Sequence, residues 1–276
     1  MFFRASMNAC RGAFTSGLGQ GQMSHGKISQ GVNRLGTKSL FSASRMSAAR
    51  DFRAAVVFHG NGVYDGTETT EAVSLLVGLS RLGAEVQVFA PNRDQAHVVN
   101  HLTGEEQQQT RNVMEESSRI SRGDCKALSD LKAQDFDALL IPGGFGAAKN
   151  LCDFGFKGAD MTVQADIEKV LKDFHSMNKV IGLTCIAPVI AAKVFGQNQV
   201  RLTLGSTGEN FPYAGSIEAA QSFGAQTEMR DVHGTSVDWQ NKMVTTPAYM
   251  QGDAKPHEVF DGIQDFLNKV DSLVRQ

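Results

Sequence analysis

Lys179-Val180-Ile181-Gly182-Leu183-Thr184-Cys185-Ile186-Ala187-Pro188 is the stretch from which the rest of the chain can be read. Lys179 to Leu183 has the short apolar run of a buried strand, and a small-residue helix, Ala187 to Phe195, follows at once. Cys185 is left on the turn between them. Working outward, the same unit recurs. Ala54 to Phe58 is a β-branched run that ends in the glycine-rich loop Gly60–Gly66, and Glu68 to Leu82 then carries apolar residues at helical spacing up to Gly83. Glu85 to Phe89 is a second strand ended by Pro91; Asp137 to Ile141 is another, running into Pro142-Gly143-Gly144. Val163 to His175 is amphipathic and helical. Short apolar strands alternating with helices predict an α/β three-layer sandwich, with a mostly parallel flavodoxin-like sheet covered on both faces. Near the end, Thr235 to Trp239 and Lys242 to Thr246 predict a hairpin turning at Gln240-Asn241, and His257 to Val274 a closing helix. Residues 53–276 read as one domain without internal repeats.

The chain has 276 residues with 41% hydrophobic content, enough for one core plus a tail. Residues 1–50 contain no Asp or Glu but carry Arg4, Arg11, Lys27, Arg34, Lys38, Arg45 and Arg50 among many Ser, Gly and Ala. That composition predicts a mitochondrial transit peptide, with a retained basic arm as the plainer alternative. The remainder is acidic, because most of the 27 basic residues but all 29 acidic ones lie beyond the tail. An acidic body gives no footprint for nucleic acid or an anionic membrane, and no apolar run reaches transmembrane length. Cys10, Cys125, Cys152 and Cys185 form no CxxC pair and no metal-ligand spacing with His, so neither a disulfide framework nor a metal site is expected.

In parallel sheets ligands bind beyond the carboxyl ends of the strands. Three loops of this kind stand out: Gly60–Gly66, Gly143–Gly146 and Thr184–Ala187. A thiol at a strand-to-helix elbow lies near unpaired amides and the positive end of a helix, which favours thiolate. A lone cysteine in an apolar strand is more often packing; the neighbouring loops shift the reading toward chemistry. The amides of Pro142-Gly143-Gly144-Phe145-Gly146 could approach an oxyanion, although a plain tight turn has the same composition. Glu71, at the start of the first helix, is an acid whose titration would be raised beside a thiol in a cleft, with Glu68 as its rival.

Gly62-Val63-Tyr64-Asp65-Gly66, Arg111-Asn112-Val113, Pro142 through Leu151, Cys185-Ile186-Ala187-Pro188 and Val244-Thr245-Thr246-Pro247-Ala248 together resemble the ElbB group and its mitochondrial glutamine-amidotransferase-like relatives, within the PfpI/ThiJ superfamily. The resemblance implies that Cys185 is the elbow nucleophile, that Glu71 is the acid standing before Gly83, and that Gly144 and Ile186 are backbone donors to an oxyanion. Many members of the superfamily have a His after the strand that follows the elbow helix. Here Val200 to Leu204 is followed by Gly205-Ser206-Thr207, and no His occurs between His175 and His233. That departure argues against amidotransferase or protease chemistry, which protonates its leaving amine from His. His59, at the end of the first strand, is an accessory candidate.

The resemblance implies a glutathione-independent glyoxalase or deglycase in the mitochondrial matrix, acting on a small dicarbonyl or glycated substrate, without a cofactor and as a possible homodimer. A second reading is non-enzymatic, with Cys185 an oxidisable thiol. A third, a nicotinamide oxidoreductase, rests on Gly60 to Gly66. Its GxGxxxG spacing is one residue too long, and Val88-Phe89-Ala90-Pro91 lacks the ribose-binding acid.

Overall fold

A computed structural model of the protein describes residues 52–276; the expected transit peptide and Cys10 lie outside the described residues. The chain enters the sheet at β1 (Arg53–Val57), crosses through α1 (Thr69–Arg81) to β2 (Glu85–Ala90), and makes an excursion through β3 (Val99–Asn100), β4 (Glu105–Glu106) and α2 (Val113–Ile120). It returns through β5 (Lys126–Ala127) to β6 (Ala138–Ile141), then α3 (Phe145–Asn150), α4 (Phe154–Lys157), α5 (Ala165–Ser176) and β7 (Val180–Thr184). The last third holds α6 (Pro188–Phe195), β8 (Arg201–Leu202), α7 (Gly215–Ser222), β9 (Gln226–Thr227), β10 (Ser236–Asp238), β11 (Met243–Thr246) and α8 (Pro256–Val274).

The main sheet has the order β10-β11-β7-β6-β1-β2-β5. Every pairing is parallel except the β10–β11 hairpin, which turns as its sequence predicts. Ala54 to Val57 and Ala138 to Leu140 are fully buried, as expected of central strands covered on both faces. Helix α1 packs on α8 over one face, while α5 lies against β6, β7 and α6 on the other. From β1 the chain builds outward to β2 and β5; it then crosses back to place β6, β7 and β11 on β1's other side. The strand order therefore reverses between β1 and β6, and a crevice opens at the carboxyl end of such a reversal.

One expected strand is corrected. Val200 to Leu204 does not join the central sheet; only Arg201 and Leu202 are extended, and they pair with β9 in a separate ribbon. Side chains intercept its backbone. Arg201 N–H donates to Asp238 Oδ2 at 2.8 Å, and Thr203 N–H donates to Thr245 Oγ1 at 2.8 Å. Donors satisfied by side chains have no ladder to extend.

Candidate active site

Cys185 sits immediately after β7 with φ +59°, a left-handed conformation that a residue with a Cβ rarely adopts. Both sides of the turn hold it there. Its N–H donates to Thr246 O of β11 at 2.9 Å, and Ala187 N–H closes back on Thr184 O at 3.0 Å. Pro188 then opens α6 from its first turn, where a missing N–H costs nothing. Between these bonds the Ile186 N–H has no acceptor among the hydrogen bonds of the described residues. The elbow foreseen from the sequence is present, with Cys185 7% exposed.

Glu71 meets this thiol from α1. Its carboxyl is completely buried, and Oε2 accepts from Gly143 N–H at 2.8 Å and from the Thr184 hydroxyl at 2.5 Å. Thr184 Oγ1 in turn stands 3.1 Å from the Gly143 nitrogen. The other oxygen, Oε1, has no partner. Burial, reinforced by the neighbouring Glu68, pushes the Glu71 carboxyl up to about 8; the bonds from Thr184, Gly143 and Cys185 oppose that shift without cancelling it. The raised acid expected at this position is found.

The expected thiolate is not. Burial raises the Cys185 thiol well above its ordinary value, and negative charge on Glu71 adds to the rise. The Gly144 amide acts in the opposite sense. Reading the turn alone weighs the helix terminus, an effect of about 0.3–1 kcal/mol at an exposed site. Removing a thiolate from water in a closed core outweighs it. Both shifts favour the protonated forms of the pair.

Gly143 explains why the pair can form. A Cβ at this position would stand 2.2 Å from Cys185 Cβ, 2.8 Å from Glu71 Oε2 and 2.9 Å from Cys185 Sγ, so only glycine lets the thiol and carboxyl meet across the end of β6. The next residue, Gly144, has φ +102° and starts α3. Its amide is directed at Cys185. This loop interlocks with the one after β1: Glu68 N–H donates to Gly143 O at 2.8 Å, Phe145 N–H to Val63 O at 2.7 Å, and Gly146 N–H to Gly66 O at 2.9 Å. The glycines that suggested a dinucleotide fingerprint serve this packing. Gly66 N–H closes on Gly62 O, and a Cβ on Gly60 would lie 2.9 Å from Gly66 Cα.

His59 is brought under the loop rather than to the thiol. Its Nε2 lies 2.9 Å from Pro142 O, which can only accept, so Nε2 carries the proton and Nδ1 is a buried acceptor without a partner. Burial holds the ring's titration down at about 4, leaving it neutral. Its role in the geometry is to fix Pro142, one residue before Gly143. Three contributors escaped the sequence reading. Thr184, beside the nucleophile, enters the sequence reading only as the first residue of the Thr184–Ala187 loop, with no role of its own. Glu68, noted only as a rival to Glu71, is the helix cap: its carboxylate accepts Glu71 N–H at 2.7 Å. Asn150 ties the first loop together by donating to His59 O and Asp65 O, both at 2.9 Å. Only Thr184 had a local signal, its place next to Cys185. No group of His, Cys, Asp and Glu with metal-holding geometry occurs among the described residues, and none of their helices is long and apolar enough to cross a membrane.

Comparison with known proteins places this geometry. The rat ES1 protein homolog, mitochondrial, is 47% identical over 85% of this chain and 89% of its own. The human glutamine amidotransferase-like class 1 domain-containing protein 3, mitochondrial, is also 47% identical, over 85% of this chain and 88% of its own length. Both carry in their names the compartment that residues 1–50 led us to expect. Among solved structures, an isoprenoid biosynthesis protein with amidotransferase-like domain from Ehrlichia chaffeensis superposes with a TM-score of 0.72 at 28% identity, covering 80% of this chain and 99% of the other. The DJ-1/PfpI family model matches residues 55–207, which include most of β1, Glu71, the Gly143–Gly144 loop and the Cys185 elbow, and the chain belongs to the DJ-1/PfpI family.

Proposed function

We propose that this mitochondrial member of the DJ-1/PfpI family converts reactive 2-oxoaldehydes to 2-hydroxy acids through Cys185 and Glu71, without glutathione. The observation that carries the reading is the meeting of a thiol and an elevated carboxyl across Gly143, with one carboxyl oxygen anchored by Thr184 and Gly143 and the other left without a partner. Removing one proton from the pair gives a monoanion shared between sulfur and carboxylate, the form that can attack.

The sulfur adds to the aldehyde carbon: a C–S bond forms, the carbonyl π electrons move to oxygen, and the thiol proton remains on Glu71. The amides of Gly144 and Ile186 hold the oxyanion until Glu71 protonates it. Glu71, now ionised, removes the proton from the sulfur-bearing carbon and delivers it to the adjacent carbon. The hydroxyl proton on the sulfur-bearing carbon passes to the neighbouring oxygen, so the ketone becomes an alcohol and the sulfur-bearing carbon a thioester. Water then attacks the thioester, the C–S bond breaks, and the thiol is restored. One water is consumed, and no external oxidant or reductant is needed. A glycated amine enters the same sequence at its aldehyde-derived carbon: the C–N bond breaks as the C–S bond forms, and the departing amine takes the proton of Glu71. No step needs a histidine beside the thiol, which suits a site whose nearest candidate, His59, is bonded to Pro142. A redox-sensing role asks for an exposed thiolate, and burial of Cys185 works against it.

The test is incubation of the full-length chain, and of its Cys185→Ala and Glu71→Gln variants, with methylglyoxal and no glutathione. Lactate and residual dicarbonyl are measured together with intact protein mass. Many lactates per protein chain from the parent and none from Cys185→Ala are expected. A stoichiometric adduct on the parent without lactate would overturn the proposal.

A further inference from the structure

Methylglyoxal carries only one methyl beyond its two carbonyls, while a much larger space begins at Ile186, next to the elbow. A groove of about 440 Å³ runs between α4 and α7, lined by Phe154, Pro212, Tyr213, Ser216 and Ala219 and ending at Ile186. Pockets of roughly 300–1,000 Å³ hold ligands of drug size. Two contacts tie the groove to the chemistry. Ile186, the residue after the nucleophile, lines it and has the free amide described above. Tyr213, on the groove wall, packs edge-on against Phe145 at 5.6 Å between ring centroids. Phe145 directly follows Gly144, so one ring contact joins the groove wall to the loop that carries the second proposed oxyanion donor.

The polar side chains on the groove wall, apart from the exposed Glu218 carboxylate, are engaged by the protein. Ser216 Oγ donates to Tyr213 O at 2.8 Å, and Ser222 Oγ to Ala219 O at 2.7 Å. Lys157 at its margin pairs with Asp153 at 2.7 Å. Aromatic and aliphatic faces remain for an occupant, beside the one carboxylate of Glu218.

Building on the 2-oxoaldehyde reading, we infer that the groove receives an apolar arm on the substrate. The preferred class is therefore a 2-oxoaldehyde whose ketone carbon bears an aromatic or branched alkyl group, its dicarbonyl end against Cys185 and its arm between Tyr213 and α7. Gly215 offers a way to test this without disturbing the fold. It is the first residue of α7, lies on the groove, and a Cβ there meets no atom within 4 Å.

The experiment compares kcat/KM for phenylglyoxal and methylglyoxal in the full-length parent and in Gly215→Trp, with melting temperature as the check on folding. The parent is expected to favour phenylglyoxal at least tenfold, the lower range for an apolar group seated in a matching pocket. Gly215→Trp is expected to lower that ratio at least tenfold, while Gly215→Ala lowers it less than twofold. A ratio near one in the parent, or one that survives the tryptophan in a folded variant, overturns the groove assignment while lactate from methylglyoxal keeps the catalytic reading intact. Higher turnover of both substrates in Gly215→Trp also overturns it, since the groove would then hold a segment of this chain. If Gly215→Trp fails to fold, Ala219→Leu takes its place with the same criterion. If neither dicarbonyl turns over, the catalytic reading fails separately and the groove is judged by mandelate binding. Saturable mandelate binding lost in Gly215→Trp supports it, and no saturable binding overturns it.

Discussion

Replacing Glu71 by Gln changes the charge of one buried group, and the structure specifies how stability should respond to pH. In the fold the carboxyl titrates at about 8; in the unfolded chain it returns to its ordinary value near 4.3. Between those values the unfolded state has lost the proton and the folded state keeps it, so folding takes up a proton. Stability therefore falls as pH rises through this window, by about 1.4 kcal/mol per pH unit, and levels off above about 8. From pH 5 to pH 8 the loss is about 4 kcal/mol, a large fraction of the roughly 5–15 kcal/mol that holds a domain together. The glutamine variant has no such proton. Its amide oxygen can accept from Gly143 and Thr184 as Oε2 does, but its NH₂ falls where Oε1 has no partner. A buried unsatisfied donor costs about 1–3 kcal/mol at every pH. Glu71→Gln is thus expected to gain on the parent by about 4 kcal/mol between pH 5 and pH 8. Urea denaturation of both proteins at half-unit pH intervals measures the difference, in which the other titrating groups largely cancel. A difference that stays flat from pH 5 to pH 8 would refute the reasoning, because Glu71 would then ionise in the fold much as it does in water.

Two further expectations follow from the same geometry. Gly143→Ala places a methyl 2.2 Å from Cys185 Cβ, against a normal carbon–carbon contact of about 3.5–4.0 Å. Cys185 must move by more than about 1 Å, which should reduce methylglyoxal turnover about 100-fold and destabilise the fold by about 1–3 kcal/mol; turnover within threefold of the parent would contradict this. His59, held near 4 in the fold against about 6.5 unfolded, has the opposite sign to Glu71: the unfolded chain takes the proton first, so stability is lost as pH falls. The loss is about 2 kcal/mol between pH 6.5 and 4.5. His59→Gln should lack it in denaturation curves, and equal acid sensitivity in the two proteins would count against a buried neutral ring.

The layered fold was legible because its signals are local. Runs such as Ala54–Phe58 and Asp137–Ile141, each closed by glycine or proline, mark buried strands wherever they occur, and α1 ends within a residue of its predicted stop. The hairpin at Gln240-Asn241 was readable for the same reason. The short β8 was not, because its donors are taken by Asp238 and Thr245, more than thirty positions along the chain. Nor could the sequence show that His59 points at Pro142, since that contact spans 83 positions.

At the site, the sequence by itself determined which residue types stand at the strand ends: a cysteine on an elbow, a glycine pair after β6, an acid in the first turn of α1. The tertiary structure decided their protonation. Glu71 reaches Gly143 across 72 positions and Thr184 across 113, and the core that closes around them removes the water that would have stabilised their charges. Desolvation depends on every atom packed around a group, whichever segment supplies it. Local spacing could therefore place the thiol but not its proton.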